Sequence, residues 1–240
     1  MRIGLASYRC ENKNITFNLG QIQRAMREAA GKADLICFGE AFLQGFDSLC
    51  WDYEIDRDVA VPVDSAPIEQ LRYWTKQYHM TLLTGYIEKD QETIYSSCIV
   101  IQDGKVLHNY RRVSKGWKEY WKTDEHYQEG NSIQLFQLEG MKILPALCGD
   151  LWDDGWERFK TDHLVIWPVY VNYTQEEWES KEITEYAEQA SKVARDVLMV
   201  NVIDHEPRSW GGAFHFHEGM VFDRLPFDQE RTLIIDLPGD

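Results

Sequence analysis

The sequence predicts an α/β protein in which a mixed sheet, or a pair of sheets, is covered by helices. Strand and helix signals interleave along the chain, and the turn dipeptides Asp103-Gly104 and Glu139-Gly140 each lie between two apolar runs, as in β-hairpins. No repeat, low-complexity tract or Pro/Ser-rich linker divides the 240 residues. We therefore expect a single domain over residues 1–240, because a chain of this length can bury one sizeable core.

The first third of the chain alternates between strands and helices. RIGLASY predicts the first strand, and the segment from about Asn18 to Ala30 predicts a helix because its apolar residues recur at helical spacing. LICFG predicts the next strand. A second helix is expected from Ser65 to Tyr78, with Ser65 and Glu69 near its start.

Hairpins and a further helix follow in the rest of the chain. TLLTGYIE, SSCIVI and KVLHNY predict strands around the first turn dipeptide, and IQLFQL and KILPALC predict strands around the second. HLVIWPV is typical of a buried strand. Thr174 and Glu177 form a capping box that opens a helix running to about Asp196. VLMVNVI, HFHEGMVF and RTLIIDL predict three closing strands.

Composition excludes several classes of partner. The formal net charge of −15 argues against binding to nucleic acid, which is itself a polyanion. No stretch approaches the roughly 18 consecutive apolar residues of a membrane span, and MRIGLASYRC does not resemble a signal peptide, so a cytoplasmic protein without membrane contact is expected. The five cysteines are odd in number and lack metal-ligand spacing, which predicts reduced thiols rather than disulfides or a zinc site.

Two histidines, His215 and His217, occupy alternate positions of a predicted strand and so share one face. Two ligands without a third favour a packed or solvent-facing strand over a metal site. Neither a metal nor a cofactor is therefore expected.

A cysteine and a glutamate occupy similar positions at the ends of apolar runs. Cys148 ends the run LPALC, and Glu40 ends the run ADLICFGE. Open α/β sheets place their ligand sites at the carboxyl ends of strands, so the two side chains are expected to meet at one site. A lone cysteine is more often a buried structural residue, but a nearby carboxylate favours a nucleophile with its base.

These two segments resemble motifs of the nitrilase superfamily of carbon–nitrogen hydrolases, and the resemblance covers essentially the whole chain. ADLICFGEAFLQGF is similar to the motif that holds the general-base glutamate, here Glu40, and LCGDLW is similar to the motif of the nucleophile, here Cys148. The resemblance implies a four-layer α-β-β-α sandwich. It also implies that a Glu, a Lys and a Cys hydrolyse a non-peptide C–N bond.

The motif that supplies the family's lysine is different in this sequence. The family has Tyr-Arg-Lys, whereas this chain has Tyr110-Arg111-Arg112, and the next lysine is Lys115. An arginine keeps its charge and can stabilise an oxyanion, but it cannot readily pass a proton as a lysine can. Lys115 is slightly favoured as the catalytic cation because Gly116 permits an unusual turn; Arg112 in that role, and a surface position for Lys115, stay open.

Two further positions follow from the resemblance. Many family members have a second carboxylate between the Lys and Cys motifs, and Glu125 resembles it, with Glu119 and Glu129 as rivals. Gly149 replaces an aromatic residue that often follows the nucleophile, and its backbone N–H is a candidate for oxyanion stabilisation.

The expected function is hydrolysis of a small amide or carbamoyl substrate through a thioester on Cys148, with Glu40 as general base. One alternative is a non-catalytic binding module that has lost the lysine. Acyl transfer to an acceptor other than water also stays open. The resemblance further implies a homodimer.

Overall fold

Fourteen strands and five α-helices are present in the computed structural model, which describes residues 1–205 and 208–237. The strands are β1 (Arg2–Ser7), β2 (Leu35–Cys37), β3 (Thr81–Asp90), β4 (Thr93–Gln102), β5 (Lys105–Arg111), β6 (Phe136–Leu138), β7 (Met141–Pro145), β8 (Leu164–Pro168), β9 (Asp196–Val200), β10 (Ile203–His205), β11 (Arg208–Trp210), β12 (Ala213–His217), β13 (Met220–Leu225) and β14 (Arg231–Asp236). The helices are α1 (Ile15–Ala29), α2 (Tyr53–Asp56), α3 (Ala66–Tyr78), α4 (Gln175–Glu177) and α5 (Ile183–Val193), with a π-helical turn, Trp178–Glu182, joining α4 to α5.

Two six-stranded sheets form the centre of the fold. One has the order β14-β1-β2-β3-β4-β5 and the other β13-β12-β9-β8-β7-β6, while β10 and β11 pair separately. In the first sheet β1, β2 and β3 are parallel, and in the second β7, β8 and β9 are parallel. The carboxyl ends of these parallel strands are the positions at which a ligand site is expected.

The sheets pack face to face with helices outside them. Inward side chains such as Leu5, Leu83 and Val165 form one buried cluster between the sheets. A second cluster joins the outer face of the first sheet to α1 and α3, and the residues of α5 extend the cluster on the second sheet. This arrangement is the expected four-layer α-β-β-α sandwich.

The helix boundaries follow local signals that the apolar pattern only partly indicated. Helix α1 begins at Ile15, earlier than the predicted Asn18, because the side chain of Asn14 accepts a hydrogen bond from the Phe17 N–H at 3.1 Å. The predicted capping box at Thr174 and Glu177 is confirmed.

The closing segments differ from the prediction at three places. The last helix ends at Val193 rather than near Asp196, which is instead the first residue of β9. HFHEGMVF was expected as one strand but forms the β12–β13 hairpin, because Glu218 and Gly219 both adopt positive φ angles that turn the chain. The short β10–β11 pair was not predicted.

Among the helices of the described residues, none combines the length and the apolar character that crossing a bilayer requires.

Candidate active site

The segment after β7 presents Cys148 on a sharp turn. Cys148 has a φ of 40°, in the left-handed region, and begins a short 3₁₀ turn over Cys148–Leu151. Such a conformation is uncommon for a non-glycine residue and clusters at functional sites. The Trp167 indole N–H donates to the Cys148 carbonyl at 2.8 Å, which fixes the turn against β8. Cys148 is partly buried as a residue, and its thiol donates a hydrogen bond to the Tyr170 carbonyl at 3.6 Å.

Glu40 follows β2 and is completely buried. Its Oε1 atom accepts hydrogen bonds from the Ser96 hydroxyl at 2.9 Å and from Arg112 Nη1 at 3.0 Å. Its Oε2 atom is also buried and accepts no hydrogen bond from a nitrogen or oxygen donor among the described residues. One carboxylate oxygen is therefore fixed, and the other is left to take part in chemistry.

Arg112 lies directly after β5 and is 4% exposed. Besides Glu40, its guanidinium donates from Nε to Ser114 Oγ at 2.8 Å and from Nη2 to the Lys115 carbonyl at 3.0 Å. Burial acts to lower the pKa of Arg112, but the negative charges of Glu40 and Asp150 and the hydrogen bond to Glu40 raise it above its ordinary value. Arg112 is therefore a buried, oriented and permanently charged group beside Glu40.

Lys115 is placed differently. Its side chain is exposed, and its Nζ atom lies 6.0 Å from the centre of the Tyr120 ring. Within the part of the chain that the structure describes, this ammonium makes no ion pair. Only the backbone carbonyl of Lys115 contacts the Arg112 side chain, so the structure does not bring the Lys115 ammonium to Glu40 and Cys148.

Gly149 leaves the space that the Arg112 guanidinium fills. A Cβ atom at this position would lie 2.2 Å from Arg112 Nη2 and 3.3 Å from Ser114 Oγ, far closer than van der Waals contact allows. A larger residue would therefore require the Arg112 guanidinium to shift, so glycine is favoured here for steric reasons and not for its backbone angle. Lying in the first turn of the 3₁₀ segment, Gly149 also has a backbone N–H without an acceptor within that turn.

Asp150 connects the turn at Cys148 to the segment after β5, a role that sequence reasoning missed. Its Oδ1 accepts from the backbone N–H groups of Val113 at 3.1 Å and Ser114 at 2.8 Å. Its Oδ2 accepts from Leu147 N–H at 2.8 Å and from the Tyr110 hydroxyl at 2.5 Å. Burial raises the pKa of Asp150, while Arg112 and these hydrogen bonds oppose the rise. The signal available in the sequence was an aspartate two residues after the nucleophile.

The three candidate glutamates lie on the loop beyond Arg112. Glu125 is exposed, and only its backbone carbonyl forms a hydrogen bond within the described residues, accepting from Gln128 at 2.9 Å. Glu119 pairs with Lys122 at 3.4 Å on the surface. Glu129 is half-buried and pairs with Lys118 at 3.3 Å, and it also accepts a hydrogen bond from the Tyr120 hydroxyl.

The thiol of Cys148 is held in its neutral form at rest. Burial is the main cause, and together with the negative charge of Glu40 it raises the pKa of Cys148 to about 12, although Arg112 acts to lower it. A neutral thiol is a weak nucleophile. Attack by this sulfur therefore requires a base that removes the proton as the new bond forms.

A comparison with protein families gives one match, to the N-terminal part of the chain. The family described as carbon–nitrogen hydrolase matches residues 4–158, which is more than half of the chain. The matched range includes Glu40, Arg112 and Cys148.

Curated relatives are distant and longer. The chain is 23% identical over 156 residues to a glutamine-dependent NAD(+) synthetase of Thermotoga maritima, covering 64% of this chain and 26% of that protein. It is 21% identical over 152 residues to an (R)-stereoselective amidase of a Pseudomonas species, covering 63% of this chain and 52% of that protein. The chain thus spans from about a quarter to about half the length of these relatives.

Solved structures are similar over almost the whole chain. An amidase from Nesterenkonia matches with a TM-score of 0.81 at 18% identity, covering 99% of this chain and 90% of that one. A CN-hydrolase superfamily protein from Xanthomonas campestris, with an arsenic adduct in its active site, matches with a TM-score of 0.80 at 16% identity, covering 98% and 89%. At such identities the likeness establishes the fold.

Proposed function

Since the chain belongs to the carbon–nitrogen hydrolase family, we propose that it hydrolyses the C–N bond of a small amide or carbamoyl substrate through a thioester on Cys148. The arrangement around Glu40 supports this proposal most directly. Arg112 and Ser96 bind one oxygen of the buried carboxylate, whose other oxygen is free, and the carboxylate raises the pKa of the neighbouring thiol.

The first half of the reaction forms the thioester. The free Oε2 of Glu40 takes the proton of Cys148 as Sγ attacks the substrate carbonyl carbon, which gives a tetrahedral intermediate with a negative oxygen. Arg112 and the Gly149 N–H are the available donors for that oxygen, and each such donor typically contributes about 10²–10³ in rate. Glu40 then returns its proton to the leaving nitrogen, and ammonia or an amine departs.

The second half releases the acid product. Water enters, Glu40 removes one of its protons, and the resulting hydroxide adds to the thioester carbon. The same two donors stabilise the second tetrahedral intermediate. Its collapse breaks the C–S bond and returns the proton to Cys148, so the enzyme ends in its starting state.

In this proposal Arg112 takes the position of the family's lysine, and Lys115 supports it through its backbone carbonyl. The side chains of Arg112 and Glu40 are joined at 3.0 Å, whereas the Lys115 ammonium is solvated. A guanidinium keeps its proton in proteins, so the proton transfers are assigned to Glu40. Glu125 is given no role, because its exposed side chain is not joined to Arg112 or Glu40.

A panel of small amides tests the proposal. It would include acetamide and propionamide, and also glutamine, since one relative is named as glutamine-dependent. Ammonia release from any of them should fall by about 10⁴-fold or more in Cys148→Ala, because no covalent intermediate can form. Unchanged turnover in this variant would exclude Cys148 as the nucleophile.

Measurements of ammonia release and of amide binding distinguish the alternative, a non-catalytic binding module, from the hydrolase. A module without chemistry would release no ammonia from any substrate, yet would bind one of the amides equally well in the parent and in Cys148→Ala. Acyl transfer would instead appear as release of ammonia that depends on an added amine or hydroxyl acceptor. The homodimer stays a prediction, for which light scattering at micromolar concentration gives the mass.

A further inference from the structure

Three side chains of metal-binding type converge at one end of strands β9 and β12 in the second sheet. His215 and His217 lie on β12, and Asp196 is the first residue of the neighbouring strand β9. The strands are antiparallel, with His217 directly opposite Asp196 and His215 two residues along. Alternate residues of a strand share a face, and so do directly opposed residues, which places all three side chains on the same side of the sheet.

The donor atoms already point at one another. His215 Nε2 lies 2.8 Å and His217 Nδ1 lies 2.7 Å from the same oxygen, Asp196 Oδ1. One ligand atom from each of the three residues lies within 4.8 Å of the others. Tetrahedral zinc with bonds of about 2.0–2.1 Å places its donor atoms roughly 3.3–3.4 Å apart. On binding a metal, the two contacts with Asp196 Oδ1 would therefore lengthen by roughly half an ångström, and the two imidazole nitrogens would settle at the same separation from each other.

The charges and ring orientations also suit a cation. Asp196 contributes a carboxylate oxygen that faces both imidazole rings. His215 is 4% exposed, and its Nδ1 is buried without a hydrogen-bond partner among the described residues. Among residues 1–205 and 208–237, the polar contact of this ring thus runs through Nε2 towards Asp196.

A cavity of about 460 Å³ adjoins the three side chains and gives room for further ligands. His163 lines the same cavity, and the Phe222 ring covers the outer side of the imidazoles, with centroid distances of 5.3 Å to His215 and 5.6 Å to His217. Two imidazole nitrogens with a carboxylate are a ligand set typical of zinc and neighbouring transition metals.

We propose that Asp196, His215 and His217 bind one divalent transition metal, with zinc as the representative ion. Water or His163 completes the coordination. The site ties β12 to the start of β9, whereas Cys148 follows the carboxyl end of β7, which runs parallel to β9 through β8. The metal therefore lies near the amino end of β9, whereas the thiol lies beyond the carboxyl ends of the parallel strands. Its role is to hold β9 and β12 together.

Zinc binding to the full chain tests the proposal independently of any hydrolase activity. Protein freed of metal by dialysis against a chelator would be titrated with Zn²⁺ by calorimetry, in the parent and in His217→Asn and Asp196→Asn. We expect one site per chain with micromolar or tighter affinity, weakened at least about tenfold in each variant. The parent should also gain roughly 5 °C or more in Tm at saturating Zn²⁺, and the variants should not.

His126→Asn is the matched control. His126 Nδ1 also lies 3.0 Å from a carboxylate, that of Asp124, but no second imidazole joins that pair. The control should bind Zn²⁺ like the parent, and so should Cys148→Ala, which removes the reactive thiol as a competing ligand. Circular dichroism would establish that each variant is folded before titration.

Two results would overturn the proposal. One is a parent protein that binds no Zn²⁺ at micromolar concentration. The other is Zn²⁺ binding that is equally tight in the parent, His217→Asn and Asp196→Asn, which would place the metal elsewhere. Binding of Co²⁺ gives a further readout, because the visible absorption of a tetrahedral cobalt site should appear in the parent and in His126→Asn but not in His217→Asn.

Discussion

The end of β5 and the loop that follows it each provide a cation, in opposite environments. Arg112 is 4% exposed, and all three of its nitrogens donate hydrogen bonds, to Glu40, Ser114 and the Lys115 carbonyl. Lys115, three residues further on, directs its ammonium into solvent near the Tyr120 ring. The position after β5 holds the Arg112 guanidinium in place, whereas water screens the charge of the Lys115 ammonium.

The difference supports Arg112, and not Lys115, as the cation of the proposed reaction. A charge stabilises a developing oxyanion strongly only when it is oriented in advance and shielded from water, which describes Arg112 and not Lys115. The exchange has two consequences within the protein. A guanidinium is larger than an ammonium, so a side chain in place of Gly149 would have to displace it. A guanidinium also keeps its proton, so in the proposed reaction Glu40 is the base for every step.

Replacing that base should have the largest effect and should separate hydrolysis from thiol reactivity. Glu40→Gln should lower amide hydrolysis by about 10²–10⁴-fold, because a carboxamide cannot accept the thiol proton. The same change removes a negative charge that raises the pKa of Cys148, while Arg112 continues to lower it, so the pKa should fall below about 12. More thiolate is then present at pH 8, and alkylation of Cys148 by iodoacetamide should be faster.

Glu88→Gln is the control for this experiment, because Glu88 is also buried and is paired with an arginine, Arg111, at 2.7 Å. It should leave the alkylation rate of Cys148 unchanged. Slower alkylation in Glu40→Gln than in the parent would contradict the assignment of Glu40 as the group that suppresses the thiolate.

The two cations are compared directly by changing each to a neutral side chain of similar length. Arg112→Met should reduce hydrolysis by about 10²–10³-fold, the usual loss for one oxyanion donor. Lys115→Met should stay within about twofold of the parent, because its ammonium is solvated and only its backbone contacts the site. The hydrolysis rates of the parent and both variants would be compared on the best amide of the panel, with Tm as a check on folding. The reverse pattern would restore Lys115 as the catalytic cation.

The sequence indicated the strand ends better than it indicated the loop between them. Glu40 and Cys148 each end a short apolar run, and each lies only three residues beyond a buried strand, so the apolar pattern indicated the position of both. The segment after β5 has no such pattern. Its conformation depends on Asp150, which accepts hydrogen bonds from Val113 and Ser114 across 36 or more residues of sequence, and a pattern read along the chain does not contain that contact.

The same reason explains the metal-ligand cluster. His215 and His217 are recognisable as a pair on one strand face, but the third group, Asp196, comes from another strand, 19 residues away from His215. Asp196 was expected to lie at the end of a helix. Because α5 ends earlier, at Val193, Asp196 instead begins β9. The register between β9 and β12, which a pattern along the chain does not indicate, brings the three side chains together.

The steric link between Arg112 and Gly149 is tested by a double-mutant cycle. Gly149→Ala puts a Cβ atom 2.2 Å from Arg112 Nη2, so the guanidinium has to move and hydrolysis should fall by about tenfold. In an Arg112→Lys background the branched head group is absent, and the same alanine should cost much less. Gly20→Ala, on a helix surface with no atom within 4 Å of the new methyl group, should not alter activity. Additive losses in the cycle would mean that the two residues act independently.

The smallest expected effect concerns the acceptor that orients Arg112 from the loop side. Ser114 is 7% exposed, and its hydroxyl accepts from Arg112 Nε at 2.8 Å. Ser114→Ala leaves one buried charged N–H without its acceptor, while the bonds to Glu40 and to the Lys115 carbonyl persist and hold most of the geometry. We expect kcat to fall roughly threefold with little change in KM, since the cation acts on the transition state more than on the bound amide. Ser132→Ala, on the exposed segment before β6, should match the parent in both constants. If Ser114→Ala instead raised KM at constant kcat, the loop side of Arg112 would contribute to substrate binding and not to the orientation of the charge.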